Sequence, residues 1–274
     1  MINEKIKLSE QYSLPGNATL ECFLHSDSKE MHNSVQNLPC MIVCPGGGYW
    51  FTSEREGEPI AIDFYNRNYN AFVLWYDISQ SGARYPLALT ELACAIDYVR
   101  KNAEKFRVNP DKIYVVGFSA GGHLVGNLAN YWHDLPCDFI DKDKIDAKPN
   151  AVVLGYPVIY PHSHEGSYQN LLGEKYDTDK ALVDKLTLDK TVSVNNPPCF
   201  IWTTFEDKCV HPDATLRYAD ALNKVGVKCE CHVFPTGGHG GATCDNRTNS
   251  GSCESIGRAR IWLDLCADFL SSLK

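Results

Sequence analysis

Apolar and polar positions along the chain fall into two patterns that take turns. The first is a short, dense apolar run rich in β-branched or aromatic residues: Cys40–Cys44, Ala71–Tyr76, Ile113–Val116, Ala151–Gly155 and Cys199–Phe205, with Cys229–Phe234 as a further strand in which polar Glu230 and His232 alternate with apolar residues. Such runs read as strands, most of them buried on both faces. The second is a longer stretch with apolar residues three and four apart, as at Leu89, Leu92, Ile96, Val99, Ala103 and Phe106. That stripe is the face of an amphipathic helix, and Pro86 suits its first position. Similar stripes predict helices over Glu56–Arg67, around Leu124, Leu128 and Tyr131, from Pro212 with Leu216, Ala219 and Leu222 inward, and over Arg258–Leu273.

Strands taking turns with helices predict an α/β fold, a mostly parallel central sheet with helices on both faces. Residues 1–37 are polar, with extended pieces around Ala18–Leu24 that suit edge strands. Asn109-Pro110-Asp111 reads as a turn. Residues 168–196 carry short helices and loops without a strand, so a small cap is expected over about 156–196. No repeat or composition break divides the chain, and one domain over 1–274 is expected.

Composition narrows the partners. The 274 residues hold 26 basic and 34 acidic side chains, a net charge of −8, which argues against nucleic acid or an anionic membrane. No apolar run is long enough to span a bilayer, and the N-terminus lacks an apolar signal region, so a cytoplasmic protein is expected. A homo-oligomer is compatible with all of this. Twelve cysteines occur without any C-x-x-C pair. Cys40, Cys44, Cys199, Cys229 and Cys231 fall in apolar strands, where a thiol behaves as a small hydrophobe. Neither a disulfide framework nor a metal site is expected; Cys244 and Cys253, in a polar loop, are expected to be exposed and oxidisable.

The chemistry gathers where strands end. Gly117-Phe118-Ser119-Ala120-Gly121 joins the strand Ile113–Val116 to a helix. A serine on that sharp turn stands above the sheet edge, beside the free N–H groups of a helix N-terminus. The strand Cys40–Cys44 runs into Pro45-Gly46-Gly47-Gly48-Tyr49-Trp50. That turn carries neither a P-loop nor a dinucleotide fingerprint, which leaves an oxyanion-binding role.

A serine hydroxyl needs a base, and the base an orienting acid, in the chain order Ser, Asp or Glu, His. Asp207 follows the strand Cys199–Phe205, with Glu206 as fallback, and His239 sits between glycines after the strand Cys229–Phe234. His123 reads as structural; His162 and His164 fall in the cap and could touch substrate. The assembly implies acyl transfer: Ser119 as nucleophile, His239 as base, Asp207 as orienter, and the N–H groups of Ala120, Gly47 and Gly48 as oxyanion donors, with no cofactor.

With these residues in view, the chain resembles the α/β-hydrolase esterases of the acetyl-xylan-esterase, hormone-sensitive-lipase-like type. The resemblance rests on PGGGYWFTSEREGEPIA (45–61), YPLALTELACAIDYVRKNA (85–103), NPDKIYVVGFSAGGHL (109–124), LGYPVI (154–159), HEGSYQNLLG (164–173), EDKCVHP (206–212) and FPTGGHG (234–240). It implies the triad Ser119, Asp207 and His239, and puts Tyr49 and Trp50 near the acyl pocket. It departs from the related lipases in having Pro45 where they carry His, and in the long polar segment after His239. The expected activity is hydrolysis of short acyl esters, acetyl groups on carbohydrate foremost, with a small ester or acetylated sugar as partner. A peptidase related to prolyl oligopeptidase or a formamidase is the alternative within the fold. A non-catalytic ligand-binding protein of the same hydrolase fold is the alternative of another functional class.

Overall fold

The computed structural model describes residues 1–137, 139–248 and 257–273. In chain order the elements are β1 (Lys5–Lys7), α1 (Leu8–Tyr12), β2 (Thr19–Phe23), β3 (Leu38–Cys44), α2 (Glu58–Asn66), β4 (Asn70–Trp75), α3 (Leu87–Lys101), α4 (Ala103–Phe106), β5 (Val108–Phe118), α5 (Ala120–Tyr131), β6 (Ala151–Gly155), α6 (Glu165–Leu172), α7 (Lys175–Thr178), α8 (Lys180–Lys185), β7 (Cys199–Thr204), α9 (Asp213–Lys224), β8 (Cys229–Phe234) and α10 (Trp262–Ser271).

The central strands are apolar throughout because successive side chains enter two different cores. On β3, Cys40, Ile42 and Cys44 point to one and Met41 and Val43 to the other; on β5, Val115 and Val116 part in the same way. The first core is closed by α3, α5 and α9, the second by α2 and α10. Full burial of each such aliphatic or aromatic side chain is worth about 1.5–3 kcal/mol. In the second core the rings of Trp202 and Trp262 stack at 5.1 Å, fixing α10 against β7.

The sheet order is β1-β2-β4-β3-β5-β6-β7-β8. β1, β2 and β4 pair antiparallel, and every pairing from β4 to β8 is parallel. The fold is the expected α/β-hydrolase arrangement. The chain leaves β3 toward β4 and returns for β5 on β3's other side, so the loops after β3 and β5 meet at the point where strand order reverses. Ligands in open α/β sheets gather at that crevice.

Several local expectations change. Asn109-Pro110-Asp111 is not a separate turn; it lies within β5, where the pairing with β3 shifts register between Leu38 and Cys40. Leu216 is half-exposed, and the buried face of α9 is instead Ala214, Tyr218 and Leu222. Cys231 is exposed because β8 is the edge strand, with no further strand beyond it in the sheet. Cys244 is buried in the second core rather than exposed, and Cys253 lies outside the described residues. Among the described residues no helix is long and apolar enough to cross a membrane.

Candidate active site

β5 ends at Phe118 and α5 begins at Ala120, so Ser119 alone makes the turn, at φ 52° and ψ −117°. Such a conformation costs a non-glycine residue about 1–3 kcal/mol and must be held by its surroundings. Here it is held on both sides. The Ser119 N–H donates to the Gly155 carbonyl (3.0 Å), and its own carbonyl accepts from the N–H groups of His123 (3.0 Å) and Val158 (3.1 Å). The glycines are needed for room: a Cβ at Gly121 would run into the carbonyls of Cys44 and Pro45, and one at Gly117 into the carbonyl of Gly121.

The structure brings Ser119, His239 and Asp207 into one line of hydrogen bonds. His239 Nδ1 lies 2.7 Å from Asp207 Oδ2, and His239 Nε2 lies 2.8 Å from Ser119 Oγ. Asp207 Oδ1 already accepts from the N–H groups of Cys209 and Val210, each at 2.9 Å, so the carboxylate acts as acceptor throughout. The imidazole proton therefore sits on Nδ1, and Nε2 is left to accept from the Ser119 hydroxyl. The Asp207 side chain is fully buried and that of His239 is 20% exposed, enough for water to reach the ring. The carboxylate on His239 Nδ1 is Asp207; Glu206 accepts instead from the Gly237 N–H (3.1 Å), within the loop that carries His239. His211 pairs with Asp213 at the surface.

The Gly-rich loop after β3 faces Ser119. Gly47 and Gly48 turn at φ 122° and 64°, and among the described residues their N–H groups and that of Ala120 have no acceptor. The N–H of Gly46 does have one, Glu56 Oε2 at 2.8 Å. Glu56 is buried, and its second oxygen accepts from the Tyr156 hydroxyl (2.7 Å), which in turn accepts from the Ala242 N–H (3.0 Å). The Tyr156 ring packs edge-on against His239 at 4.9 Å. One buried carboxylate thus ties the glycine loop to the wall behind the histidine. No motif singled out Glu56; its partners lie 10 and 100 residues away in the chain.

A cavity of about 350 Å3 opens over Ser119, with Gly47, Gly48, Trp50, Phe51 and His239 in its wall. Trp50 stands at its mouth, half-exposed. Tyr49 does not line it. A left-handed backbone (φ 58°) turns that side chain inward, where its hydroxyl donates to His123 Nδ1 (2.8 Å). His123 is structural: its Nε2–H donates to the Leu186 carbonyl (3.0 Å), and burial pushes its pKa down to about 4. His164 does reach the cavity. Its Nδ1 accepts from the Ser167 N–H (3.2 Å), capping α6, which leaves an N–H at Nε2. Burial and then the neighbouring His239 hold its pKa below the usual value. Asn170, also from α6, donates to the Gly48 carbonyl (2.9 Å). His162 is not part of the cavity wall.

A family profile described as BD-FAE matches residues 28–222, a span that includes the glycine loop, Ser119 and Asp207. The chain belongs to the BD-FAE family. A relative, endo-1,4-beta-xylanase B of Butyrivibrio fibrisolvens, is 38% identical over 241 residues, covering 84% of this chain and 38% of that protein. An acetylxylan esterase of Xylanibacter ruminicola is 28% identical over 241 residues, covering 85% of this chain and 46% of that protein. The chain thus spans less than half the length of these curated relatives. The crystal structure of an acetyl ester-xyloside bifunctional hydrolase from Caldicellulosiruptor lactoaceticus superposes with a TM-score of 0.82 and 32% identity, covering 98% of this chain and 96% of that one. The BD-FAE chain is therefore matched along almost its whole length by a hydrolase of known fold.

Proposed function

We propose that this chain is a serine carboxylesterase that removes acetyl groups from small or carbohydrate esters. The observation that carries this reading is the unbroken hydrogen-bonded line Asp207–His239–Ser119 beneath a cavity lined by glycine N–H groups. Relatives named acetylxylan esterase and acetyl ester-xyloside hydrolase support the acetyl-sugar substrate.

His239 Nε2 takes the Ser119 proton as Oγ adds to the ester carbonyl, and Asp207 stabilises the imidazolium that forms. The oxyanion enters the space before the N–H groups of Gly47, Gly48 and Ala120, where each donor is worth on the order of 10²–10³ in turnover. His239 then gives its proton to the departing alcohol, leaving an acetyl-enzyme. His239 then deprotonates a water that adds to the acetyl carbonyl; as the bond to Oγ breaks, His239 returns the proton to Ser119 and acetate leaves.

The test is hydrolysis of p-nitrophenyl acetate, butyrate and octanoate by wild type and Ser119→Ala. Acetate should be preferred, and the variant should lose about 10⁴-fold or more in kcat while remaining folded. A folded wild type no faster than Ser119→Ala would overturn the esterase reading.

A further inference from the structure

Beside the Ser119 cavity lies a second, larger cleft of about 720 Å3. Residues 51–56 form the partition, and their side chains part between the two sides. Phe51, Ser53 and Glu56 line the first cavity, Thr52 and Glu54 the second, and Arg55 lines both. The far wall is Thr19 and Glu21 of β2, Glu58 at the start of α2, and Trp75 at the end of β4.

That wall is organised around the indole. Trp75 is half-buried, its N–H donates to Glu21 Oε2 (2.8 Å), and Glu21 is held in turn by Lys5 Nζ (3.4 Å). Gly57 lies against the ring's edge, where a Cβ would come within 2.7 Å of Cη2. The ring is therefore fixed beside a set of carboxylates, threonines and cations.

The chemistry fits a neutral polyhydroxyl ligand. Carboxylates accept from hydroxyls, Arg and Lys donate to them, and threonines do both. A flat aromatic side chain takes the C–H face of a sugar ring while its surroundings take the polar rim. Three carboxylates against two cations make an anionic ligand a poor fit. Among the described residues no three His, Cys, Asp or Glu side chains converge as a metal site requires.

We infer that this cleft is a distal sugar subsite. With an acetyl ester at Ser119, the attached oligosaccharide runs over the 51–56 partition past Arg55 and seats its remote units before Trp75. The inference rests on the acetyl-sugar esterase reading above and adds what that reading lacks, a preference for oligosaccharides over acetylated single sugars.

The experiment compares kcat/KM for acetylated xylose with that for acetylated xylotetraose, and takes the ratio within each protein so that partial unfolding cancels. Wild type should favour the tetramer by about tenfold or more, since remote binding raises kcat/KM. Thr52→Trp, which fills the cleft, and Glu54→Ala/Glu58→Ala, which strips its acceptors, should bring the ratio near one. A wild-type ratio near one, or a ratio that both variants leave unchanged, would overturn the subsite. If acetylated sugars are not hydrolysed while p-nitrophenyl acetate is, the substrate reading fails by itself. Calorimetric titration with unacetylated xylotetraose then decides the cleft. Binding that Thr52→Trp abolishes supports it, and absence of binding to wild type refutes it.

Discussion

Glu56 shows what a single side chain can hold together. Its two oxygens take the Gly46 N–H and the Tyr156 O–H, so the glycine loop and the ring against His239 share one buried anchor. Glutamine has the same shape but only one acceptor oxygen; its NH2 would face a donor on one side. Glu56→Gln should therefore shift the loop by a fraction of an ångström and lower kcat by about 10²-fold, with KM changed only a few-fold. Steady-state kinetics on p-nitrophenyl acetate, with a melting curve to confirm folding, tests this; an unchanged kcat would assign Glu56 to packing alone. Ser119, Asp207 and His239 were legible because each stands in a glycine or turn context at a strand end, in the right chain order. Glu56 was not. It sits among Glu54, Arg55 and Glu58 in a polar stretch, and nothing local marks which carboxylate folds inward. Tyr49 misled for the opposite reason: adjacency to Trp50 says nothing about the left-handed turn that sends the two side chains apart.

At the scale of elements, legibility followed burial. β3, β4, β6, β7 and the second half of β5 are dense apolar runs because both faces are covered, and such runs are hard to miss; the polar, exposed first half of β5 reads as a turn instead. β1 has only three residues and exists because β2 offers it a partner, which no local pattern reveals. The cap segment was legible as short helices and loops without a strand, and α6, α7 and α8 bear that out; what seats it is a polar knot centred on Asn130 of α5. Asn130 Nδ2 donates to the Leu188 carbonyl (2.9 Å) and to Thr191 Oγ1 (2.8 Å), and its Oδ1 accepts from Asn196 Nδ2 (2.6 Å) and the Tyr218 hydroxyl (2.9 Å). Asn130→Ala strands several buried partners at once. It should lower stability by about 1–3 kcal/mol in urea unfolding, because each unpaired buried polar group carries its desolvation cost. A midpoint equal to wild type would mean that water satisfies the knot.

Over the whole molecule, two buried groups set opposing slopes of stability with pH. His123 is fully buried with its pKa pushed from 6.5 down to about 4, so between those values the unfolded chain binds more protons and stability falls as the solution is acidified. Burial also lowers the pKa of His25 and His164, which adds to the same acid-side loss. Glu91 is the reverse case. It lies in α3 with no exposed surface, accepts from the Asp77 N–H (2.9 Å), and burial, reinforced by the nearby Asp77 carboxylate, raises its pKa from 4.5 to about 9. Between 4.5 and 9 the folded chain holds a proton that the unfolded chain has lost, so stability falls as pH rises. The two slopes oppose each other between about pH 4.5 and 6.5. Above that window the Glu91 slope stands alone, at up to about 1.4 kcal/mol per pH unit. Wild type should therefore hold its highest melting temperature in mildly acidic buffer and lose stability steadily toward pH 9. Glu91→Gln mimics the protonated acid. Near pH 5 it should lie within about 1 kcal/mol of wild type, gain with the histidines up to about pH 6.5, stay level from there to pH 9, and exceed wild type at pH 9 by roughly 5 kcal/mol. Melting curves of both proteins across that range decide it: parallel wild-type and variant profiles would mean that Glu91 ionises in the folded state at its ordinary value.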